Sequence, residues 1–227
     1  MNAIILSAGK GTRLKALTSK LPKPMMRIKG KPILQHNIEL CKNAGIKNIL
    51  INLHYLPESV KDYFNDGSDF GVNIVYNYEK KLLNTAGALI PFIKIIKDAP
   101  LFVIYGDNYI IIDLLELKKF HDRKKSDFSV LLSRRNRVKH SGVVNLNNQQ
   151  RIVKFIEKPN LPDSYYRWVN AGIYYFNPPK ILDFISPNDD FGKNIFPKLI
   201  RNNVRIFGLK TSKKFVTIDT PSMHKKN

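Results

Sequence analysis

The sequence is short of cysteine, of acid and of long apolar runs, and each shortage excludes something. A single cysteine, Cys41, cannot form an internal disulfide. Its place in the apolar-periodic stretch Ile33 to Ala44 marks it as a small core side chain rather than a nucleophile. Apolar segments are short and broken by charges, so no membrane-spanning helix is expected. The opening run Ala3 to Leu6 is too short for a secretory signal and has no basic segment before it, which leads us to expect a cytoplasmic protein. The histidines (His36, His54, His121, His140 and His224) show no metal-ligand spacing, and all are assigned to structure or surface.

Acid is the scarcest class relative to its opposite. Against 38 Lys and Arg stand 18 Asp and Glu, a formal charge of +20. Such an excess suits nucleic acid, an anionic membrane surface or a polyphosphate ligand. The basic residues are dispersed in pairs and triplets, such as Lys80-Lys81 and Arg123-Lys124-Lys125, and not gathered in one block. No helix-turn-helix, zinc or aromatic-interleaved basic motif accompanies them, so nucleic acid is not expected as a partner.

What is present is an alternation of strand-like and helix-like segments. Short apolar runs at Asn2–Leu6, Asn48–Asn52, Asn73–Tyr76 and Leu101–Tyr105 are bounded by turn residues and read as strands. Between them Pro32–Ala44, closed by Gly45, then Pro57–Asn65 and Thr85–Lys97 read as helices, the last carrying Pro91 in its interior. After a helix over Asp113–Lys124 the pattern turns strand-rich, at Phe128–Ser133, Gly142–Asn145, Ile152–Ile156 and Val169–Phe176. Pro178–Ile185 and Phe191–Arg201 read as helical, and Val204–Leu209 and Phe215–Ile218 as closing strands. The expected fold is α/β, Rossmann-like, a mixed and mostly parallel sheet with helices on both faces. A single domain is expected over residues 1–227, with the change of pattern at about residue 125.

Directly after the first strand comes Ser7-Ala8-Gly9-Lys10-Gly11-Thr12-Arg13-Leu14, then Pro22-Lys23-Pro24. A glycine-rich turn at the carboxyl end of a parallel strand lets backbone N–H groups approach phosphate oxygens that a Cβ would hold off. The spacing is neither that of a P-loop nor a full dinucleotide fingerprint. Arg13 and Lys23 add the cations that a departing pyrophosphate needs. Asp107, at the end of an apolar strand, is a natural oxygen ligand for magnesium, which takes one or two carboxylates plus substrate phosphates.

The run LSAGKGTRL followed by PKP resembles the signature of the sugar-1-phosphate nucleotidyltransferases, among them the mannose and heptose guanylyltransferases. Asn84-Thr85-Ala86-Gly87-Ala88 is similar to that family's GTAGA segment, Tyr105-Gly106-Asp107-Asn108 to its GD motif, Glu157-Lys158-Pro159 to its EKP, and Asn170-Ala171-Gly172-Ile173 to its NAGIY. The resemblance implies that Leu6, Ala8, Gly9, Gly11, Thr12, Arg13, Lys23, Glu79, Asn84, Thr85, Ala86 and Gly106 surround the nucleotide. Asn108, Gly142, Glu157, Lys158, Asn170 and Gly172 would then surround the sugar phosphate, which makes about 1–125 the nucleotide-binding half and about 126–227 the sugar-phosphate half. It further implies catalytic roles for Arg13, Lys23 and Asp107, and a magnesium ion on Asp107 and on a second aspartate near the C-terminus.

Two departures from the pattern matter. Asn84 stands where relatives have glycine, and asparagine tolerates the left-handed backbone better than other substituted residues. In Phe215-Val216-Thr217-Ile218-Asp219-Thr220 the usual metal register falls on Thr217, so Asp219 is taken as the second ligand. The expected reaction joins a nucleoside triphosphate to a sugar 1-phosphate and releases pyrophosphate, with guanine the favoured base. A cytidylyltransferase acting on a small phosphorylated metabolite, and a non-catalytic nucleotide or nucleic-acid binder, are the alternatives. Of assemblies, a homodimer is kept open.

Overall fold

A computed structural model describes residues 1–9, 11, 21–135, 138–160 and 167–213, and the backbone alone at 215–217. The chain begins with β1 (Asn2–Leu6), a small hairpin of β2 (Arg27–Ile28) and β3 (Lys31–Pro32), α1 (Ile33–Asn43), β4 (Asn48–Leu53), α2 (Pro57–Phe64) and β5 (Asn73–Tyr78). There follow α3 (Asn84–Gly87), α4 (Ile93–Ile96), β6 (Leu101–Tyr105), β7 (Asn108–Ile110) and α5 (Leu114–Lys124). The rest comprises β8 (Phe128–Arg135), β9 (Gly142–Leu146), β10 (Ile152–Glu157), β11 (Arg167–Phe176), α6 (Phe196–Arg201), β12 (Ile206–Lys210) and β13 (Phe215–Thr217). Two compact units result, one of Met1–Leu82, Val103–Leu114 and Lys214–Asn227, the other of Leu83–Phe102 and Leu115–Lys213.

In the first unit β4 pairs in parallel with β1 (Asn2↔Asn48 through Leu6↔Asn52) and with β5, while β6 is hydrogen-bonded on the other side of β1. Ala3, Ile4, Ile5, Ile49, Leu50 and Ile51 are wholly buried, as strands covered on both faces must be. Their near-continuous apolar sequence follows from that burial. Helix α1 docks through Ile33, Leu34, Ile38 and Cys41, and ends where Gly45 takes φ +73° and donates its N–H to Lys42 O at 2.9 Å. Burial pushes the Cys41 thiol pKa far up, so it stays an inert core group. Because the strands run parallel, Ser7, Asn52 and Glu79 emerge along one edge of the sheet, where ligands of open α/β sheets bind.

In the second unit β8 lies between β11, antiparallel (Phe176↔Phe128), and β12, parallel (Ile206↔Phe128). β9 and β10 form a hairpin joined to β11 at Val143↔Val169. Its core is aromatic: Phe128 stacks on Phe176 at 4.6 Å, and Tyr174, Phe191 and Phe196 close around them. Among the described residues no helix is long and apolar enough to cross a membrane.

Three helical expectations are corrected. The helix expected over Thr85–Lys97 is broken into α3, a 3-10 turn at Ile90–Phe92 and α4, because Pro91 lacks the N–H that a continuous helix would need. Pro178–Ile185 forms two separate 3-10 turns, Pro178–Lys180 and Leu182–Phe184, in place of one helix. Phe191–Arg201 opens with a wide π-type turn over Phe191–Ile195, where the Asp190 carboxylate accepts from Lys193 N at 3.0 Å, before tightening into α6. The β2–β3 hairpin and β7 had no counterpart in the sequence pattern, since two or three residues are too few to show a period.

The start of β8 is pinned by Asp127, whose carboxylate accepts from Arg205 Nε (3.1 Å), Arg205 Nη2 (3.0 Å) and Lys180 Nζ (2.7 Å). Burial pushes this carboxyl up, but the Arg205 and Lys180 hydrogen bonds outweigh it and hold Asp127 well below the usual carboxylate range. A folded pKa below the unfolded one contributes stability that is full above the unfolded value of about 3.9 and is lost as pH falls through the folded one. Asp127→Asn should therefore lose about 2 kcal/mol in urea unfolding at neutral pH. It should also show a flatter loss of stability than wild type in the acid range, and equal slopes would contradict this reading.

Candidate active site

In the first unit the edge of the sheet carries a connected set of polar groups. Ser7 N–H donates to Asn52 Oδ1 at 2.8 Å, and Asn52 Nδ2 donates to Glu79 Oε1 at 2.7 Å. Asn52 and Glu79 are both buried, and Glu79 is further held by its own N–H to Leu53 O at 2.8 Å and by His54 Nδ1 on its carbonyl at 2.7 Å. The relay fixes where the backbone leaves β1 and turns into Ala8 and Gly9. Glu79, expected near the base, is thus an anchor of the turn as well. Asn52 was missed, although a polar residue inside the apolar run Ile49–Leu53 is a signal of a buried hydrogen bond.

The neighbouring strand supplies the acid. Gly106 N–H donates to Leu6 O at 2.9 Å, which sets Asp107 beside the glycine turn. A Cβ on Gly106 would collide with Ser7 Oγ and lie 2.9 Å from Leu6 O, so the close approach requires glycine. Lys23 Nζ pairs with Asp107 Oδ2 at 2.5 Å, the lysine side chain 7% exposed and the carboxylate 33% exposed. Pro22 and Pro24 shape the turn that presents it: Met25 N–H reaches Pro22 O and Met26 N–H reaches Lys23 O, at 2.9 and 3.1 Å. The pair is thus buried on the cationic side and open on the anionic side.

Gly9 contrasts with Gly106. Among the described residues, a Cβ there meets nothing within 4 Å, and Gly9 itself is exposed. Gly11 has φ +60°, and Leu6 and Ala8 flank the turn half-buried and buried. Thr12, Arg13 and Asp219 lie outside the described residues. The backbone of β13 brings Thr217 opposite Asn108, one residue from Asp107, on an antiparallel ladder.

In the second unit a different group of the expected residues comes together. Thr85 Oγ1 donates to Asp190 Oδ2 at 2.9 Å and accepts from Phe191 N at 2.8 Å. Ala86 and Gly87 donate their N–H groups to Asp189 O, and Asn84 Nδ2 donates to Asn188 O at 2.7 Å. Asn84 has φ +60°, the left-handed conformation that its departure from glycine demanded. Glu157 sits against Gly142 and Gly192, where a Cβ at either would press on its carboxylate. Burial pushes the Glu157 carboxyl pKa up and Asp190 adds to that, with Lys158 and Lys193 pulling against them. Lys158 Nζ is 3.7 Å from Glu157 Oε1 and takes φ +48°, a backbone position rarely held by lysine. Asn170 Oδ1 accepts from Gly172 N at 2.8 Å, and Gly172 (φ +72°) forms the bulge in β11. Asn188 to Asp190 were not among the expected site residues, since their contacts to Asn84 and Thr85 span more than a hundred residues.

Comparison with known proteins bears on these clusters. A family model described as nucleotidyl transferase matches residues 2–213. The chain belongs to that family. A D-glycero-alpha-D-manno-heptose 1-phosphate guanylyltransferase of Campylobacter jejuni is 35% identical, over 81% of this chain and 79% of its own. A UTP–glucose-1-phosphate uridylyltransferase of Synechocystis is 33% identical over 96% of this chain, and a mannose-1-phosphate guanylyltransferase of Mycobacterium tuberculosis 30% identical over 97%. The chain spans 60% and 62% of the lengths of those two relatives. Among crystal structures, HddC from Yersinia pseudotuberculosis superposes with TM-score 0.82 at 26% identity, covering 99% of this chain and 96% of its own. A Bacillus anthracis protein solved with sucrose gives TM-score 0.88 at 24% identity over 100% of this chain and 93% of its own, a likeness of fold. The expected nucleotidyltransferase membership and α/β fold are borne out.

The two glycines should answer alanine differently. Gly106→Ala is expected to cost about 1–3 kcal/mol in urea unfolding, because Ser7 and the end of β1 must shift. Gly9→Ala should stay within about 0.5 kcal/mol of wild type. A Gly106→Ala protein as stable as wild type would contradict the close packing described.

Proposed function

We propose that the protein is a sugar-1-phosphate nucleotidyltransferase, with GTP and mannose or heptose 1-phosphate the favoured substrates. The observation that carries this reading is the Lys23–Asp107 pair beside a glycine turn, where no described residue comes within 4 Å of a Cβ placed on Gly9. A buried ammonium and a part-exposed carboxylate at the carboxyl edge of a parallel sheet suit a polyphosphate and its divalent ion. Guanine is favoured because the Campylobacter and mycobacterial relatives are guanylyltransferases and HddC was crystallised with GMP-PN. The Synechocystis relative is a UTP–glucose-1-phosphate uridylyltransferase, which makes UTP the competing donor to test against GTP.

In this reading the sugar phosphate, already ionised near neutrality, attacks the α-phosphorus in line, and no general base is needed. Backbone N–H groups of the turn from Ala8 to Gly11, together with Arg13, hold the triphosphate, and Lys23 neutralises charge at the α-phosphate. Thr85 and Ala86 hold the nucleoside side, while Glu157 accepts from sugar hydroxyls and Lys158 pairs with the sugar phosphate. Among the described residues no group of three or more His, Cys, Asp or Glu side chains gathers as a metal site. Magnesium nonetheless fits the donor set, since Asp107 offers a hard oxygen and magnesium needs few protein ligands when phosphates supply the others. Asp107, with Asp219 as its proposed partner, would hold the ion. When bound, it would screen the phosphate charges and polarise the phosphoryl centre. A cytoplasmic location, where nucleoside triphosphates are available, accords with this reading.

The direct test is pyrophosphate release from each common nucleoside triphosphate with a panel of sugar 1-phosphates, with and without magnesium. Lys23→Ala should remain folded and lose about a hundredfold or more in turnover. Near-normal turnover in that variant would remove the proposed role. Gly9→Ala should raise KM for the triphosphate and leave KM for the sugar phosphate unchanged. Since the Glu157 pKa is raised, its ionised form declines at a pH above the ordinary glutamate range of about 4.3. KM for the sugar phosphate should therefore climb on mild acidification, and Glu157→Gln should flatten that climb. An unchanged acid limb in Glu157→Gln would assign the titration to another group.

A further inference from the structure

In the second unit the segment Asn188–Asp190 is fastened along the whole of α3. Asn188 O accepts from Asn84 Nδ2 at 2.7 Å, Asp189 O accepts from the N–H groups of Ala86 and Gly87 at 2.9 and 3.0 Å, and Asp190 Oδ2 accepts from Thr85 Oγ1 at 2.9 Å. The approach is close, since a Cβ on Gly87 would lie 2.8 Å from Asn188 N. Of these links only the one to Thr85 runs through a side chain of the 188–190 segment. Backbone carbonyls make the others, so they survive a substitution at Asp190.

The Asp190 carboxylate divides its two oxygens between two tasks. Oδ2 takes the Thr85 proton, while Oδ1 accepts from Lys193 N at 3.0 Å and caps the wide turn over Phe191–Ile195. Asn194 Oδ1 in turn accepts from Asp190 N at 2.8 Å, a contact that does not use the carboxylate. Asparagine caps as well as aspartate but has one acceptor oxygen, and its NH2 group cannot take a hydroxyl proton. Asp190→Asn therefore keeps the cap and deprives Thr85 of its acceptor. The same carboxylate also faces the sugar side. A Cβ on Gly192 would collide with Glu157 Oε2 and lie 3.3 Å from Asp190 Oδ1, so the two acids meet with only a glycine between them. Burial raises the Glu157 carboxyl pKa and the Asp190 charge raises it further, while Lys158 beside it and Lys193 on the turn oppose them. From β9 the carboxylate meets Gly142, which brings no charge.

We propose that Asp190 is a positioning residue shared by both substrates: one oxygen holds the Thr85 hydroxyl on the nucleoside side, and its charge faces Glu157 across Gly192 on the sugar side. This rests on the nucleotidyltransferase reading above, which supplies the roles of Thr85 and Glu157. The test measures both KM values by pyrophosphate release as a function of pH, with GTP and mannose 1-phosphate or whichever pair wild type turns over best. Asp190→Asn should raise KM for the triphosphate about threefold or more, the worth of one lost hydrogen bond. It should also move the acid limb of KM for the sugar phosphate to lower pH, because Glu157 loses a neighbouring negative charge and ionises more readily. Thr85→Val should raise the triphosphate KM likewise and leave the acid limb in place, since Asp190 keeps its charge. Thr85→Ser, which keeps the hydroxyl, should restore the triphosphate KM. Asp190→Ser, an uncharged residue that also caps well, takes the place of Asp190→Asn should urea unfolding show that variant to be poorly folded.

A general loosening of the fold would raise KM values without displacing the acid limb, so the direction of that displacement separates positioning from mere support. An acid limb that stays in place in Asp190→Asn, or moves to higher pH, would overturn the proposal on the sugar side. An unchanged triphosphate KM in Asp190→Asn, or a Thr85→Ser protein as impaired as Thr85→Val, would overturn it on the nucleoside side. These results require an active wild type. Wild-type protein that releases no pyrophosphate with any substrate pair would instead overturn the nucleotidyltransferase reading, and this proposal with it.

Discussion

The first unit depends on a buried ammonium having a place to put its charge. Lys23 is almost wholly enclosed by its own chain, and an uncompensated charge there would cost several kcal/mol. Asp107 provides the compensation, but only because Gly106 allows the end of β6 to close against Ser7 and Leu6. The Pro-Lys-Pro turn holds the other half of the pair in place. A carboxylate that is satisfied on one oxygen by lysine and still part-exposed is suited to take a further cation. The pair thus serves folding and is poised for a polyphosphate at the same time.

Missing side chains organise both units, for opposite reasons. At Gly106, Gly142 and Gly192 the protein's own atoms occupy the space a Cβ would need, so these glycines report tight packing around Ser7 and Glu157. At Gly9 none of the described residues occupies it. A related contrast separates Glu157, whose carboxyl pKa burial and Asp190 push up, from Asp127, whose pKa the Arg205 and Lys180 hydrogen bonds hold down. One is tuned within a cluster of expected ligands and the other simply fastens β8 to its neighbours.

Much of this was legible in the sequence where burial imposes a pattern. β1, β4 and β6 are enclosed on both faces, so their apolar runs marked them nearly to the residue, and Gly45 marked the end of α1. Helices failed at Pro91 and around Pro178, where the apolar spacing persisted but the backbone donors did not. The glycine turn, Lys23 and Asp107 could be singled out because their residue types are unusual beside a strand end. Asp190 could not, since its importance lies in Thr85, 105 residues away, whereas the place of Asn52 in an apolar run signalled a buried hydrogen bond without revealing its partner Ser7, 45 residues away. Asn84 was singled out because it stands where the resembled family has glycine, and its φ of +60° is the conformation that asparagine bears best among substituted residues. Arg13 and Asp219 remain assignments made from sequence.

The central claim is that the site joins a nucleotide to a sugar phosphate through the α-phosphorus. It is tested most directly by following isotopic label from a nucleoside triphosphate in the presence of magnesium and a sugar 1-phosphate. The account predicts that label at the α-position appears in the sugar nucleotide and label at the γ-position in pyrophosphate. Label from the γ-position appearing on the sugar, or α-label remaining only in nucleotide, would contradict it.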